Sequence, residues 1–384
     1  MSKDYYVILT GGKNNAGDFL IKYRAFKLFE TLRADRNIID YNEWEAIDDE
    51  KLKVINSSKA LILLGGPGVL PYMYPNIYPL RENLEDIKVP IVMMGLGWKD
   101  AQGDWINTYK IKFSEKTKQL LNKINNSGYF SSVRDYHTLN TLQINGYKNI
   151  LMTGCPAYYD LDFIDKGFEP PKNIKRVAFS LGVSFVQSAV MEQQMKEVIL
   201  ILKDKFRKEQ FQVVFHHSIS KEKLNTAYKN SSDKHFLKHS EFTNWLEMNS
   251  VEYVDISGSA NNLIKYYSNI DLHIGYRVHA HIFMNSISKY SVLISEDGRA
   301  KAVRDVIQGL VINGYVGRRD RFMDRVIHKI ISRYDRFLVN EYLINELVNN
   351  LEYEEKIYFN RIKNSRKSID NNFNIMKQFI KQLP

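Results

Sequence analysis

The chain has 384 residues, 44% hydrophobic and 26% charged, and its 54 Lys plus Arg against 44 Asp plus Glu leave a formal charge of +10. That balance excludes a disordered chain, and the length suits two or three domains. The single cysteine, Cys155, excludes an internal disulfide framework and any multi-cysteine metal centre, and no apolar run approaches the ~18 residues of a membrane helix.

In chain order, a strand over residues 5–9 leads through a glycine-rich turn into a helical pattern over 19–32. Short apolar runs at 60–64 and 91–94 each end in a glycine loop, Gly65-Gly66-Pro67-Gly68 and Gly95-Leu96-Gly97. A helix over 113–124 and a strand over 129–133 follow. A helix over 136–144 is then closed by Asn145-Gly146, a C-cap signal. The strand at 149–152 runs to Gly154-Cys155-Pro156. Residues 160–175, with Pro170-Pro171 and no periodicity, read as a linker. A second series then begins, with strands at 176–181, 212–215, 253–256, 271–274 and 291–294. Its helices fall at 189–206, 260–267, 278–286 and 301–309. From Arg318 the chain reads as helical, strand-poor and basic. Strands alternating with helices of this length predict an α/β fold of two Rossmann-like parallel-sheet domains facing across a cleft, with a helical C-terminal segment. The expected domains are 1–165, 172–315 and 316–384, the last packing back on the first.

In such sheets ligands bind beyond the carboxyl ends of the strands, where the glycine loops fall. In Gly11-Gly12-Lys13-Asn14-Asn15-Ala16-Gly17-Asp18, glycine permits a tight turn with backbone N–H groups turned toward a ligand. The segment lacks the Lys-Ser/Thr pair of a phosphate-binding P-loop. Asp18 either accepts a hydrogen bond from a sugar hydroxyl or caps the helix. Arg134, before Asp135, either meets an anionic ligand or pairs with its neighbour. In Asp271-Leu272-His273-Ile274-Gly275-Tyr276-Arg277-Val278-His279-Ala280-His281, a strand ends at Gly275 and a helix begins near Arg277. A guanidinium and an imidazole thus stand at a helix N-terminus that already favours anions. His279 and His281 lie two apart, on different helix faces, so no metal site is expected; one faces the ligand and the other packs. His273 reads as structural. His216-His217-Ser218 contributes His217 as a candidate. The Ser295–Lys301 loop supplies Glu296 and Lys301, or is simply solvated. Cys155 reads as a buried, inert thiol.

Taken together these segments resemble the polysaccharide pyruvyl transferase family. The likeness runs from Asn14-Asn15-Ala16-Gly17-Asp18 through Gly65-Gly66-Pro67-Gly68, Gly95-Leu96-Gly97, Ser132-Val133-Arg134-Asp135 and Thr153-Gly154-Cys155-Pro156 to Arg277-Val278-His279-Ala280 and Lys301. Many members carry Asp where this chain has Cys155. The resemblance implies a GT-B-like fold, with the acceptor on the N-terminal domain and the donor on the C-terminal one. It implies transfer of pyruvate from phosphoenolpyruvate, as a ketal across two sugar hydroxyls, in biosynthesis of a cell-surface polysaccharide. Arg277 and His279 would hold phosphoenolpyruvate, with Arg134 assisting. The chemistry asks for a general acid, for which His279 is the candidate, and a base, either Asp18 or Glu296. Asn15, Gly17, Gly66, His217, Glu296 and Lys301 complete the expected substrate-binding set. No cofactor or metal is expected, and phosphoenolpyruvate enters as co-substrate. The expected partners are that donor and a sugar of a glycan or lipid-linked oligosaccharide. Basic C-terminal helices touching the inner leaflet are one expectation and a solvated helix face the other. With no signal peptide read at the start, the expected location is cytoplasmic. A nucleotide-sugar glycosyltransferase and a glycan- or nucleic-acid-binding protein are the alternatives. No dense basic block with interleaved aromatics favours nucleic acid.

Overall fold

The computed structural model describes residues 4–227, 232–319, 323–324, 327, 330 and 335–384. It separates into two compact units. The first holds Met1–Gly12, Asp18–Asp165 and Lys367–Pro384; the second holds Lys13–Gly17 and Lys166–Arg366.

In the first unit, β1 (Tyr5–Thr10), β2 (Asn37–Asn42), β3 (Leu61–Leu64) and β4 (Ile91–Met94) form a parallel sheet in the order β2-β1-β3-β4. The fully buried Leu61–Leu64 and Ile91–Met94 are continuous apolar runs because helices cover both faces of a parallel sheet. A second parallel pair, β5 (Ser131–Val133) and β6 (Ile150–Met152), lies beside β4, joined by Gly95 N–H to the Ser132 carbonyl at 3.0 Å and a Leu96–Val133 bridge. Asp160 is not linker. It is buried against Arg24 of the helix Ala16–Leu32.

The second unit carries six parallel strands: β7 (Arg176–Ser180), β8 (Gln210–Phe215), β9 (Glu252–Asp255), β10 (Leu272–Gly275), β11 (Tyr290–Ser295) and β12 (Val311–Asn313). Their order is β9-β8-β7-β10-β11-β12. From β7 the chain lays β8 and β9 outward on one side and β10, β11 and β12 on the other, the doubly wound order whose reversal between β7 and β10 opens a crevice at their carboxyl ends. Met191, Met195, Val198, Ile199 and Leu202 of the helix Ala189–Lys205 pack on Phe179, Val213 and Ile274 of this sheet. Each fully buried side chain of this kind contributes roughly 1.5–3 kcal/mol.

The chain after β12 is less uniformly helical than its composition suggests. β13 (Tyr315–Arg318) pairs antiparallel with β14 (Phe337–Val339) before the helices Leu343–Lys356 and Asn360–Gln382. Arg366, in the second unit, donates to the carbonyls of Asn285 and Ser286 at the end of the helix Val278–Ser286, at 3.3 and 2.8 Å. Residues 367–384 belong to the first unit, where Arg33 donates to the Leu383 and Pro384 carbonyls and Phe373 packs on Tyr159. Among the described residues no helix is long and apolar enough to cross a membrane.

Candidate active site

In the second unit the crevice between β7 and β10 is built by backbone and small side chains. Gly275 has φ +148°, and a Cβ on it would lie 2.5 Å from Ser180 Oγ and N, so only glycine lets β10 leave the sheet here. Ser180 Oγ accepts from the Arg277 backbone N–H at 3.1 Å and pairs with His273 Nε2 at 2.8 Å. His273 Nδ1 meets Ser291 Oγ at 2.7 Å. Buried and with His281 nearby, His273 is held well below the usual imidazole range and stays neutral. It is structural, as the sequence implied.

Arg277 is the N-cap of the nine-residue helix Val278–Ser286, and His279 is that helix's second residue. Both are nearly enclosed, at 7% and 9% exposure. The Arg277 fork is fixed from elsewhere in the chain: Nη2 donates to Asn15 Oδ1 at 2.9 Å and lies 3.2 Å from His217 Nδ1. With guanidinium always a donor, His217 Nδ1 is the acceptor and its proton sits on Nε2. Burial, reinforced by the Arg277 charge, holds His217 well below the usual imidazole range. Its neighbour His216 turns the other way, with Nε2 on Tyr267 Oη at 2.8 Å.

Asn15 has a second task. Its Oδ1 also accepts the Gly17 N–H at 3.3 Å, the position of a side-chain cap on the helix Ala16–Leu32. That helix therefore starts at Ala16, three residues before the pattern suggested, and Asp18 lies inside its first turn rather than capping it. Asn14, which the sequence reading passed over, ties the segment down: its Oδ1 accepts from Ser218 N–H and its carbonyl from Gly258 N–H, both at 2.8 Å. Gly17 is packed against His279. A Cβ on Gly17 would overlap the imidazole, 2.6 Å from Cγ and 2.8 Å from Cβ.

Glu296 follows β11 and is buried; its Oε2 accepts from the Val183 and Ser184 N–H groups at 2.8 and 2.9 Å. Burial, followed by the Asp297 charge, raises its carboxyl pKa, and Arg277 opposes the rise. The Val183 and Ser184 amides were not foreseen; Gly182, just after β7, was their only signal. Lys301 lies on the helix Gly298–Ile307 with its ammonium 5.1 Å from the Tyr315 ring centre. His281 packs in the core on Ser291 Oγ at 2.7 Å, and burial pushes it down to about 3.

The remaining expected residues belong to the first unit. Arg134 follows β5, its Nε 3.4 Å from Asp135 Oδ2 and its Nη2 3.4 Å from the Trp98 carbonyl. Asp135 caps the helix Tyr136–Ile144 through Thr138 N–H at 2.7 Å. Gly97 leaves room for the guanidinium, since a Cβ there would sit 2.6 Å from Arg134 Nη2. Cys155 is buried, its thiol pushed up to about 11 by desolvation, with Arg134, Asp18 and Asp135 close enough to act on it. Gly66 ends β3 with φ +72° and open space where a Cβ would go, so its freedom serves the turn. Thus the second unit joins Asn15, Gly17, His217, Arg277 and His279, while the first gathers Asp18 and Arg134 about Cys155. Among the described residues no group of His, Cys, Asp and Glu could hold a metal ion.

Comparison with known proteins agrees with this topology. A protein from Listeria monocytogenes assigned as a UDP-N-acetylglucosamine 2-epimerase superposes with a TM-score of 0.52 at 10% identity, covering 98% of this chain and 95% of its own. A S. aureus MnaA–UDP co-structure gives 0.50 at 9% identity, covering 100% and 99%. At such identities the likeness is one of fold, and it identifies the two parallel-sheet units and helical C-terminal segment as GT-B-like. No curated protein sequence matches the chain. The family model described as polysaccharide pyruvyl transferase matches residues 15–283, from the Asn15 cap through the Arg277–His279 helix. This chain therefore belongs to the polysaccharide pyruvyl transferase family.

Proposed function

We propose that the protein transfers pyruvate from phosphoenolpyruvate to two hydroxyls of a sugar, as a ketal, in polysaccharide biosynthesis. The observation that carries this reading is the Arg277 clamp: a guanidinium at a helix N-terminus, held by Asn15 and His217, with His279 two residues further along, as the helix's second residue. A donor bearing a carboxylate and a phosphate needs a fixed cation with planar, forked donors, and arginine at a helix start supplies both charge and geometry.

The reaction balances as follows. A proton is delivered to C3 of phosphoenolpyruvate, making C2 electrophilic. One sugar hydroxyl adds at C2 and loses its proton, phosphate departs, and the second hydroxyl closes the ketal and loses its proton. Phosphate carries off one of those protons. In this reading His279 supplies the proton to C3, and Arg277 holds the donor's anionic groups. His217, neutral with Nε2 protonated, is a hydrogen-bond donor toward the same ligand. Asp18 or Glu296 serves as base toward the sugar hydroxyls. Burial and the Asp297 charge raise the Glu296 carboxyl, which makes it a stronger base than an ordinary carboxylate.

The test is a thermal-shift titration with phosphoenolpyruvate on wild type and Arg277→Ala. At ~100 times its Kd the ligand should add roughly 2.7 kcal/mol of stability. Stabilisation of the wild type that disappears in Arg277→Ala is the expected result. Intact phosphoenolpyruvate-dependent turnover in Arg277→Ala, or protection by UDP- or GDP-sugars in its place, would overturn the reading.

A further inference from the structure

The connection leaving β4 carries exposed aromatic residues that have no part in the Arg277 clamp. A single helical turn, Trp105–Thr108, capped by Tyr109, leaves Trp105, Ile106 and Tyr109 at 47%, 61% and 62% exposure. Trp105 and Tyr109 are four residues apart and Ile106 and Tyr109 three, so the three share one face. The indole is held in place: its ring stacks on His137 at 4.1 Å, and His137 stacks on Trp98 at 5.7 Å. Isolated exposed apolar side chains are ordinary, whereas a contiguous group of large ones marks an interaction surface.

The charges around it specify the kind of partner. Lys99, Lys110 and Lys112 are exposed on the same connection. Of its two acids, Asp100 is turned into the loop, where Oδ2 accepts from the Gln102 N–H and the Asn107 side-chain amide at 3.0 Å, and Asp104 is the exposed one. The connection that carries the apolar face thus holds three exposed lysines against one exposed carboxylate. Protein interfaces are depleted of lysine. Indole and phenol rings at headgroup depth, an aliphatic side chain between them and lysines reaching lipid phosphates are the chemistry of an anionic bilayer surface.

We propose that the Trp105–Tyr109 turn is a docking surface for an anionic lipid bilayer. Trp105, Ile106 and Tyr109 enter the headgroup layer, and Lys99, Lys110 and Lys112 engage lipid phosphates. This places the contact on the first unit's sheet-edge connections, not on the basic C-terminal helices.

Co-sedimentation of the full chain with vesicles of equal parts phosphatidylglycerol and phosphatidylcholine, against phosphatidylcholine alone, tests it. Binding is expected only with phosphatidylglycerol, weakening as salt rises. The Lys99→Gln/Lys110→Gln/Lys112→Gln variant should lose about fivefold per lysine, on the order of 100-fold in all. Ile106→Ser/Tyr109→Ser, which spares the Trp105–His137 stack, should weaken binding at least tenfold with an unchanged unfolding midpoint. Failure of the wild type to sediment with phosphatidylglycerol overturns the proposal, as does wild-type binding by the Ile106→Ser/Tyr109→Ser variant. So does loss of binding in Lys363→Gln/Lys377→Gln/Lys381→Gln instead, which would put the contact on the C-terminal helix. An unbound wild type whose Trp105→Ser variant shows a raised KM for a soluble acceptor overturns it in favour of a sugar platform.

Discussion

Gly17→Ala sets helix propensity against a specific steric requirement. Gly17 is the second residue of the helix Ala16–Leu32, where alanine would ordinarily add about 0.8–1 kcal/mol. Its Cβ, however, would stand 2.6 Å from Cγ and 2.8 Å from Cβ of His279, where carbon atoms normally approach to about 3.5–4.0 Å. The atoms met lie at the root of the imidazole, not at the end of a flexible chain, so the ring must turn or the segments must part by about 1 Å. Overpacking of this size costs about 1–3 kcal/mol, which leaves a net loss of roughly 0–2 kcal/mol. A reacting group misplaced by about 1 Å costs on the order of 100-fold in rate. The assay is urea unfolding beside phosphoenolpyruvate-dependent kcat, with Gly167→Ala, whose Cβ would meet nothing within 4 Å, as control. In a His279→Ala background, which removes the ring but keeps the Cβ at 2.8 Å, the penalty should shrink, and this double-mutant cycle gives the ring's share of the contact. Turnover within twofold of wild type in Gly17→Ala, at undiminished stability, would refute the placement of His279 or its part in the reaction.

Arg277→Lys keeps the charge but loses the fork held by Asn15 and His217. Its phosphoenolpyruvate-induced shift in unfolding temperature should require at least tenfold more ligand. Gly97→Ala should displace Arg134 in the same way that Gly17→Ala displaces His279, seen as at least a tenfold fall in kcat/KM with the fold retained by circular dichroism. The Cys155 thiol, buried and pushed up to about 11, should resist iodoacetamide at pH 8 until the protein is unfolded in urea, as followed by mass spectrometry. Burial holds His281 at about 3 and His239 at about 4, below the ordinary 6.5. The unfolded chain therefore takes up protons first, so this stability is intact above about pH 6.5 and is lost as pH falls toward those values. At pH 5 each histidine should remove about 2 kcal/mol from the urea unfolding free energy measured at pH 7.5, and a flat profile would refute the assignment.

Much of the fold was legible because a parallel sheet buried on both faces leaves continuous apolar runs, as in β3, β4 and β11. β2 was not, since Asn37–Asn42 is a half-exposed edge strand with no apolar run. The polar helices Lys221–Ala227 and Ser232–Met248 also went unread, because neither shows a strong apolar stripe. The helix Val278–Ser286 after Arg277 was legible from the end of a strand at Gly275 and the apolar periodicity that follows. Its contact with Asn15 was not, because nothing in a single sequence links residues 262 positions apart.

The glycines show where local pattern ends and packing begins. In sequence Gly17, Gly66 and Gly97 read as turn residues at strand ends, and Gly182 had no reading of its own. Gly66 is one, with φ +72° and open space where a side chain would go. The other three carry no left-handed backbone, and the space of their missing Cβ is occupied by His279, Arg134 and Glu296 respectively. Backbone freedom is a local property and can be inferred from neighbours, whereas clearance depends on a side chain that arrives from elsewhere in the chain. An alanine at Gly66 should therefore act on stability through backbone strain, while alanine at Gly17, Gly97 or Gly182 should act through the particular side chain it displaces. Removing that side chain should rescue Gly97→Ala, whose new Cβ meets the Arg134 guanidinium. It should ease Gly17→Ala and Gly182→Ala, where His279 Cβ at 2.8 Å and Met195 Cε at 2.5 Å remain, while leaving the Gly66 penalty untouched.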